Sequence, residues 1–335
     1  MTPIPRAVRH IVVIRTDRLG ETILHLPMWD ALRAAYPNAR ISCVAGAPLV
    51  ELLRLAPSLD AVIENPVRRS DGLLTGAIRL ARRLRAERAD VVIISNPTKL
   101  FHVAAFLARV PYRIGWRRKG GAQLLTHAVA DEKALGARHE VEYNAELLRR
   151  CGIAAPEHPQ LTLPITEALA ERVLRQLGAA TREHPQDWIA VHPWTSNPAK
   201  QWPLERFRAL VRELAAPRRA RGMRVLVVGG PEEAHRAPEV VGDAGEAVVN
   251  LVGRLSLPEL AACLRYARVL VSSDSGPVHL AAAVGTPVVA LFGTADAGSH
   301  PQRWGPWGAG HTVIHQPLET IAVEQVTEAA ARCVS

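Results

Sequence analysis

Residues 268–293 read RVLVSSDSGPVHLAAAVGTPVVALFG, a stretch in which strand-like and helix-like patterns alternate. An apolar run at 269–272 is followed by a polar loop, an Ala-rich helical segment at 278–284 and a second apolar run at 288–291. Parallel strands need a crossover connection, usually a helix, so this order is typical of a β-α-β unit. We therefore expect two parallel strands here, with a helix packed against them.

The same unit recurs through the whole chain of 335 residues. Short β-branched runs alternate with segments whose apolar residues recur at helical spacing, which predicts an α/β fold. The predicted strands are residues 10–15, 40–45, 61–64, 90–95, 112–115, 188–192, 224–228, 247–250, 269–272, 288–291 and 312–314. The predicted helices include residues 22–36, 73–87, 100–108, 138–150, 166–177, 204–214 and 257–265.

The pattern is interrupted once, and this interruption divides the chain into two predicted domains. Prolines punctuate residues 156–164, and the helical segment that follows ends at Gly178 before further polar residues. A chain of this length is also expected to form two domains, at roughly 150 residues each. We expect a first domain at 1–165, a linker region at 166–187, a second domain at 188–322 and a C-terminal helix at 323–335.

The charge balance favours anionic partners. The 41 basic and 32 acidic residues give a net charge of +9, which suits nucleotide phosphates, nucleic acid or an acidic membrane surface. Short basic clusters occur at 113–119 and 218–221, but no aromatic platform or zinc-finger spacing accompanies them. A solvated, Arg-rich surface explains these clusters more simply than nucleic-acid binding does.

The sequence shows no membrane span and no secretory signal, so we expect a cytoplasmic protein. No apolar run approaches the ~18 residues of a membrane helix, and the apolar run at 11–14 is too short for a secretory signal. The four cysteines (Cys43, Cys151, Cys263 and Cys333) are far apart and form no CxxC pair, so we expect buried free thiols and no metal site.

The loop after the apolar run 269–272 is the first candidate site. Asp274, Ser275 and Gly276 stand where a strand ends and a helix begins, and the N–H groups and dipole of a helix start suit a phosphate. A plain helix cap by Asp274 or Ser275 is the alternative. His279 follows one turn later and either faces the ligand or is packed inside. The chain has no GxGxxG and no GxxxxGK[ST] motif, which argues against a dinucleotide oxidoreductase and a P-loop NTPase.

Two further loops follow predicted strands. After 188–192, Thr195 and Ser196 offer hydroxyl groups and Lys200 a mobile cation, which suits diphosphate oxygens. Lys200 is one of only four lysines in an Arg-rich chain, although a solvated loop lysine remains the alternative. After 10–15, Glu21 could act as a general base kept ionised by Arg15 and Arg18, or could simply stabilise a helix start.

Taken together, these segments resemble glycosyltransferase family 9, the ADP-heptose:lipopolysaccharide heptosyltransferases. The resemblance covers nearly the whole chain, and residues 253–293 are its most specific part. It is carried by RTDRLGETILHLP, YPNARISCVAG, RIGW, HEVEYNAELLRRCGI, KQWPLERF, VVGGPEE and GRLSLPELAACLRYARVLVSSDSGPVHLAAAVGTPVVALFG. It implies a GT-B fold, in which two Rossmann-like α/β/α domains with parallel sheets face each other across a cleft. The C-terminal helix is then expected to pack back on the first domain.

The resemblance also implies roles for individual residues. Glu21 matches the position of a proposed catalytic Asp, so the carboxylate is kept but reaches one methylene further. Arg15 and Arg18 are expected near the acceptor. The remaining matches lie in the second half: Thr195, Ser196 and Lys200 at the nucleotide phosphates, Glu232 at the ribose, Leu255 at the base, Ser275 and Gly276 at the diphosphate, and Asp274 and His279 at the donor sugar.

The implied activity is inverting transfer of a heptose from ADP-heptose to the lipopolysaccharide inner core, with neither metal nor other cofactor. The acceptor would be a lipid-linked core saccharide at the cytoplasmic face of the inner membrane, where a basic protein could associate peripherally. Nucleic acid is not an expected partner.

Three alternatives remain open at this level. A GT-B transferase could use another nucleotide-sugar donor, and a GT-B sugar-nucleotide epimerase would need no acceptor. A basic nucleic-acid-binding protein would instead show affinity that falls steeply with salt.

Overall fold

The computed structural model describes residues 4–5, 7–118, 121–181, 188–216, 223–243, 245–294 and 300–334. Lys119, the basic cluster at 218–221 and the last part of the predicted linker, 182–187, lie outside the described residues. By its contacts the chain divides into two compact units, Met1–Gln160 and Leu161–Ser335.

The first unit contains a parallel sheet with strands in the order β3-β2-β1-β4-β5-β6. Its strands are β1 His10–Ile14, β2 Arg40–Ala45, β3 Ala61–Glu64, β4 Val91–Ile94, β5 Tyr112–Arg117 and β6 His127–Ala130. Its helices are α1 Leu19–Ile23, α2 Leu26–Ala35, α3 Val50–Leu53, α4 Leu73–Ala86, α5 Lys99–Leu107 and α6 Glu140–Arg150. β1 is buried along its whole length, because it pairs with β2 on one side and β4 on the other and has helices on both faces.

Two predictions for the first unit need correction. The helix expected over 22–36 is two helices, because Pro27 lies in the first turn of α2 and cannot donate a hydrogen bond back into α1. Strand β6 was missed: its four residues, HAVA, are too few to show an alternating pattern.

The second unit repeats the architecture with strands in the order β12-β11-β10-β7-β8-β9, all parallel. Its strands are β7 Trp188–His192, β8 Arg224–Val227, β9 Val248–Asn250, β10 Val269–Ser273, β11 Val288–Phe292 and β12 Thr312–His315. Its helices are α7 Glu167–Thr181, α8 Leu204–Ala215, α9 Ala237–Val241, α10 Leu257–Arg265, α11 Gly276–Ala283, α12 Pro301–Trp304 and α13 Val323–Val334.

The two outer helices of the second unit differ from expectation. Helix α7, placed in a linker from the sequence, packs on α10. Helix α13, expected on the first domain, packs on α8, where the fully buried Val326, Ala329 and Ala330 join a core that contains Trp202 and Phe207. Its apolar face therefore completes the second unit's own core.

The cysteines are free thiols, three of them buried and Cys333 half-buried. Burial raises the pKa of the Cys151 thiol to about 11 and that of Cys263 to about 12, so neither is a nucleophile near neutral pH. Among the described helices, none combines the length and apolar character needed to cross a bilayer.

Candidate functional site

In the second unit, the candidate residues lie at the carboxyl edge of the sheet. Strands β7 and β10 are parallel neighbours, with Ser272 beside His192, so the loops that follow them leave the sheet side by side. One loop carries Thr195, Ser196 and Lys200, and the other carries Asp274 and Ser275. The topology thus brings together two sequence segments about 80 residues apart.

An ion pair joins the two loops. Lys200 Nζ lies 2.8 Å from Asp274 Oδ2, and the two side chains are 22% and 9% exposed. Such a contact is stronger than a fully solvated pair, because the carboxylate is largely shielded from water. Asp274 is therefore more than the helix cap that its sequence position allowed, and Lys200 is not a free solvated lysine.

The loop after β7 is held in shape by its own hydrogen bonds. The Thr195 N–H donates to Gln201 Oε1 (3.2 Å), and the Asn197 N–H donates to Thr195 Oγ1 (3.2 Å). The Trp202 N–H donates across to Ser273 Oγ (3.2 Å), and the Trp202 ring is fully buried. Ser196 stays exposed between these anchors, so its hydroxyl can meet a ligand.

The buried His192 orients the hydroxyl group of Ser275. His192 Nδ1 lies 3.2 Å from Ser275 Oγ and 3.3 Å from Ser272 Oγ, and the two hydroxyls are 2.8 Å apart. Burial lowers the pKa of His192 to about 4, so the ring is neutral near pH 7. The three side chains form a compact polar cluster directly beneath the start of α11.

The start of α11 is not capped in the way that its sequence suggested. Ser275 occupies the N-cap position, but its hydroxyl makes no capping hydrogen bond because it is turned toward His192. Gly276, the first helical residue, is half-buried, whereas His279 is only 3% exposed and lies within the packed part of the helix. The Gly276 N–H can therefore serve an anion, whereas Pro277 has no N–H and the Val278 N–H donates to the Ser275 carbonyl (3.2 Å).

Glu232 and Leu255 lie on the two loops that follow β8 and β9. Glu232 is exposed, Leu255 is half-buried, and the loops touch because the Gly253 N–H donates to the Gly229 carbonyl (2.9 Å). Gly253 has a φ of 72° and lies against Pro231. The four loops that carry candidate residues in the second unit thus follow neighbouring strands, β10, β7, β8 and β9, at one sheet edge.

In the first unit, the buried Arg15 and the half-buried Asp17 form an ion pair after β1. Arg15 Nε lies 2.9 Å from Asp17 Oδ1, and Arg15 is only 3% exposed. Burial raises the pKa of Asp17; the Arg15 charge opposes this, whereas the carboxylates of Glu21 and Glu140 add to it. Arg15 was expected to contact the acceptor, but its burial suits it instead to hold Asp17.

Glu21 and Arg18 occupy the first turn of α1. Glu21 is half-exposed, and Arg18 is exposed at the N-cap position without a side-chain capping bond. Behind them, His25 Nδ1 lies 3.0 Å from the Glu21 carbonyl oxygen. Burial, together with the charges of Arg15 and Lys133, lowers the pKa of His25 well below its usual value. A neutral His25 can then donate to that carbonyl and fix the backbone that carries Glu21.

A buried ion pair, Lys133 with Glu140, lies in the same unit. Both side chains are almost fully buried, and Lys133 Nζ lies 5.1 Å from the centre of the Trp116 ring and 6.0 Å from that of Tyr143. Asn144, on the same helix as Glu140, donates to the Leu24 carbonyl (3.0 Å) and so links α6 to the turn after α1.

Sequence reasoning missed Asp17, His25, Lys133, Glu140 and His192. One signal could have found Lys133, because it is also one of the four lysines, the feature that drew attention to Lys200. The others had no such signal: their importance comes from burial and, for His192, from partners distant in the sequence.

Chemically, the sheet edge of the second unit offers the Lys200 cation, hydroxyl groups and a helix start, which together suit a diphosphate. The first unit offers a half-exposed carboxylate, Glu21, near a second, half-buried carboxylate, Asp17. One arrangement can stabilise developing negative charge, and the other can accept a proton.

Comparison with known proteins agrees with this chemistry. A family model described as glycosyltransferase family 9 (heptosyltransferase) matches residues 77–332. The chain is 28% identical over 300 residues to lipopolysaccharide heptosyltransferase 3 of Escherichia coli, an alignment that covers 86% of this chain and 83% of that protein.

Solved structures confirm the fold. The E. coli ADP-heptose lps heptosyltransferase II is similar over 97% of this chain and 98% of its own, with a TM-score of 0.81 and 23% identity. The structure of E. coli heptosyltransferase WaaC with ADP is similar over 97% and 99% of the two chains, with a TM-score of 0.75 and 21% identity. The chain therefore has the GT-B fold, and it belongs to glycosyltransferase family 9, the heptosyltransferase family.

Proposed function

We propose that this glycosyltransferase moves a heptose from ADP-heptose to a hydroxyl of a lipopolysaccharide inner-core saccharide, with inversion at the anomeric carbon. The observation that carries the donor assignment is the Lys200–Asp274 ion pair, which joins the two loops at the start of α11. The names of the relatives, which include lipopolysaccharide heptosyltransferases and a heptosyltransferase with ADP, support the choice of donor and acceptor.

On the donor side, Lys200, Thr195 and Ser196 bind the diphosphate together with the backbone N–H groups at Ser275 and Gly276. Glu232 on its exposed loop contacts the ribose, and Leu255 contacts the base. Asp274 and His279 are assigned to the donor sugar, Asp274 directly and the buried His279 through the packing of α11.

In the reaction, the acceptor oxygen attacks the anomeric carbon while its proton passes to the Glu21 carboxylate. The bond from that carbon to the β-phosphate oxygen breaks, and its electron pair leaves with ADP. Lys200 and the N–H groups stabilise the growing charge on the diphosphate, a role whose removal usually costs roughly 10²–10³-fold in rate. The exposed Arg18 binds the acceptor. The Arg15–Asp17 pair supports the loop that joins β1 to α1.

The acceptor in this proposal is a lipid-linked saccharide at the cytoplasmic face of the inner membrane. The net charge of +9 suits a peripheral association with an anionic surface.

The donor site is tested by calorimetry with ADP, UDP, GDP and CDP. We expect selective binding of ADP, and Lys200→Ala should remove most of that affinity, whereas Lys99→Ala, which changes an exposed lysine of the first unit, should not. Selectivity for another nucleotide would withdraw ADP-heptose as the donor while leaving the family assignment intact.

The base is tested by Glu21→Gln, with Glu51→Gln in an exposed ion pair as its control. We expect Glu21→Gln to reduce turnover at least 10²-fold with ADP affinity unchanged, because proton acceptance contributes 10²–10⁴-fold. Turnover near that of wild type would remove Glu21 from this role. Release of free or epimerised sugar without acceptor would favour an epimerase.

A further inference from the structure

Exposed apolar side chains are concentrated on one part of the first unit. Among the described residues, six large apolar side chains are exposed, and four of them belong to helices α4 and α5: Leu73, Leu74, Ile78 and Phe106, at 42%, 60%, 38% and 50%. Single exposed apolar residues need no explanation, but a group of this kind marks an interaction surface.

The apolar residues of α4 continue into a cationic stripe. Leu74, Ile78, Arg82 and Arg85 are spaced by four, four and three residues, so they lie along one side of the helix. The opposite side, which includes Ala77, Leu80 and Leu84, is buried in the core of the unit. The helix is therefore apolar toward its N-terminus and basic toward its C-terminus on the side that faces solvent.

Helix α5 extends this surface. Lys99 and Phe106 are exposed on its outer side, and the partly buried Val103 lies between them. The two helices pack together, and the Arg85 guanidinium donates to the Leu107 carbonyl at the end of α5. Arg113 lies 5.7 Å from the centre of the Phe106 ring and adds a further cation. We call these outward residues of the two helices the α4–α5 surface.

The charge of this surface has one sign. Helices α4 and α5 contain four arginines and one lysine but no Asp or Glu. The nearest acidic residues are already paired: Asp71 with Arg79 (3.1 Å) and Glu87 with Arg83 (2.7 Å). In the part of the chain that the structure describes, no carboxylate lies within ion-pair distance of Arg82, Arg85 or Lys99.

We propose that the α4–α5 surface docks the enzyme onto a bilayer that contains anionic phospholipid. Apolar side chains flanked by unpaired cations fit the interface of such a bilayer, where the side chains enter the headgroup region and each cation is attracted by the negative surface. The inference rests on the proposed lipid-linked acceptor, and it assigns the membrane contact to named residues of the first unit.

The experiment measures co-sedimentation of the full chain with vesicles of phosphatidylcholine alone or with 30% phosphatidylglycerol added. We expect binding only to the anionic vesicles. Arg82→Gln with Arg85→Gln should weaken binding by about fivefold per charge removed, and Leu74→Glu with Ile78→Glu should weaken it at least as much. Two matched controls change exposed residues of the second unit and should bind vesicles like wild type. They are the double variant Arg175→Gln, Arg265→Gln and the single variant Val313→Glu.

Several outcomes would overturn the proposal. The first is that wild-type protein does not bind anionic vesicles, and the second is that the α4–α5 variants bind them as tightly as wild type does. A surface that binds oligonucleotides instead of vesicles, or variants that only convert a dimer to a monomer in sedimentation velocity, would assign a different partner. Transfer to a delipidated acceptor is measured in parallel: activity there with no vesicle binding rejects the docking surface alone, whereas vesicle binding without any transfer rejects the proposed function alone.

Discussion

Lys200 Nζ lies 2.8 Å from Asp274 Oδ2, and this contact ties the loop after β7 to the loop after β10. The carboxylate reduces the positive charge that Lys200 presents to an incoming diphosphate. It also keeps the flexible lysine side chain beside the start of α11, which lowers the entropy lost when a ligand is bound. Asp274 therefore has two opposing effects on nucleotide binding, and substitution can separate them.

The variant Asp274→Asn should separate the two effects of Asp274: the negative charge that weakens the pull of Lys200 on a diphosphate, and the contact that keeps Lys200 in position. We expect ADP to bind as tightly as in wild type, or up to about tenfold tighter at low salt, because an amide no longer competes for Lys200; the gain should shrink as salt screens the charges. Turnover should fall, since the proposed contact of Asp274 with the donor sugar loses its charge. Calorimetry at two salt concentrations measures the first effect and product formation the second, and a large loss of ADP affinity would contradict this account.

The buried His192 predicts how stability depends on pH. Its pKa is lowered from 6.5 to about 4, so between these values the unfolded chain binds a proton that the folded chain does not. The contribution of His192 to the free energy of unfolding is therefore lost as pH falls through that range, by roughly 3 kcal/mol in total.

Urea denaturation at pH 7 and pH 4.5 tests this for His192→Gln, with His158→Gln at an exposed position as control. The glutamine variant should be less stable than wild type at pH 7 but closer to it at pH 4.5, because it lacks the titrating group. A gap of the same size at both pH values would mean that His192 does not carry this dependence.

The Lys133–Glu140 pair predicts a non-additive effect on stability. Lys133→Met or Glu140→Met alone should cost about 3–5 kcal/mol, because each leaves a buried charge without its partner. The double variant Lys133→Met, Glu140→Met should be more stable than either single variant, since no charge then remains buried. Equilibrium unfolding of the four proteins gives the coupling energy directly, and simple additivity would rule out a coupled pair.

Much of the fold could be predicted from the sequence because buried parallel strands give a local signal. The runs at β1 and β4 are almost entirely Val and Ile, β10 begins Val-Leu-Val and β11 is wholly apolar, and each was located to within a residue or two. The short β6 lacked that signal. The packing of α13 depends on which core its apolar face completes, and amphipathic periodicity cannot show this.

The candidate site residues also divide into those with a local sequence signal and those without one. Residues in loops after strands, such as Lys200 and Ser275, could be proposed as candidates because the fold class says where ligands bind. Asp17 and His192 could not, because their environments are created by burial and, for His192, by Ser272 and Ser275 on the neighbouring strand and the loop after it. The burial of Arg15 was unpredictable for the same reason: a basic residue in a polar loop is usually exposed.

The variant Gly229→Ala tests how tightly the loop after β7, which carries Thr195 and Lys200, is packed. A Cβ at this position would lie 2.9 Å from two ring carbons of Trp194 and 3.1 Å from Val252, and Trp194 is itself fully buried. The rigid indole must therefore move, which should cost about 1–3 kcal/mol of stability. Because Trp194 precedes Thr195, the same shift should weaken ADP binding.

Gly178→Ala supplies the matched control, because the same methyl group there meets no atom within 4 Å and lies in a helix. That variant should gain about 0.5–1 kcal/mol and bind ADP as wild type does. If Gly229→Ala is as stable as wild type and keeps its ADP affinity, the Trp194 ring is free to shift, and the shape of the loop that carries Thr195 and Lys200 does not depend on it. If stability falls but ADP affinity does not, the ring supports the core alone, and the hydrogen bonds that join Thr195 to Gln201 and to Asn197 are what hold the loop in its binding shape.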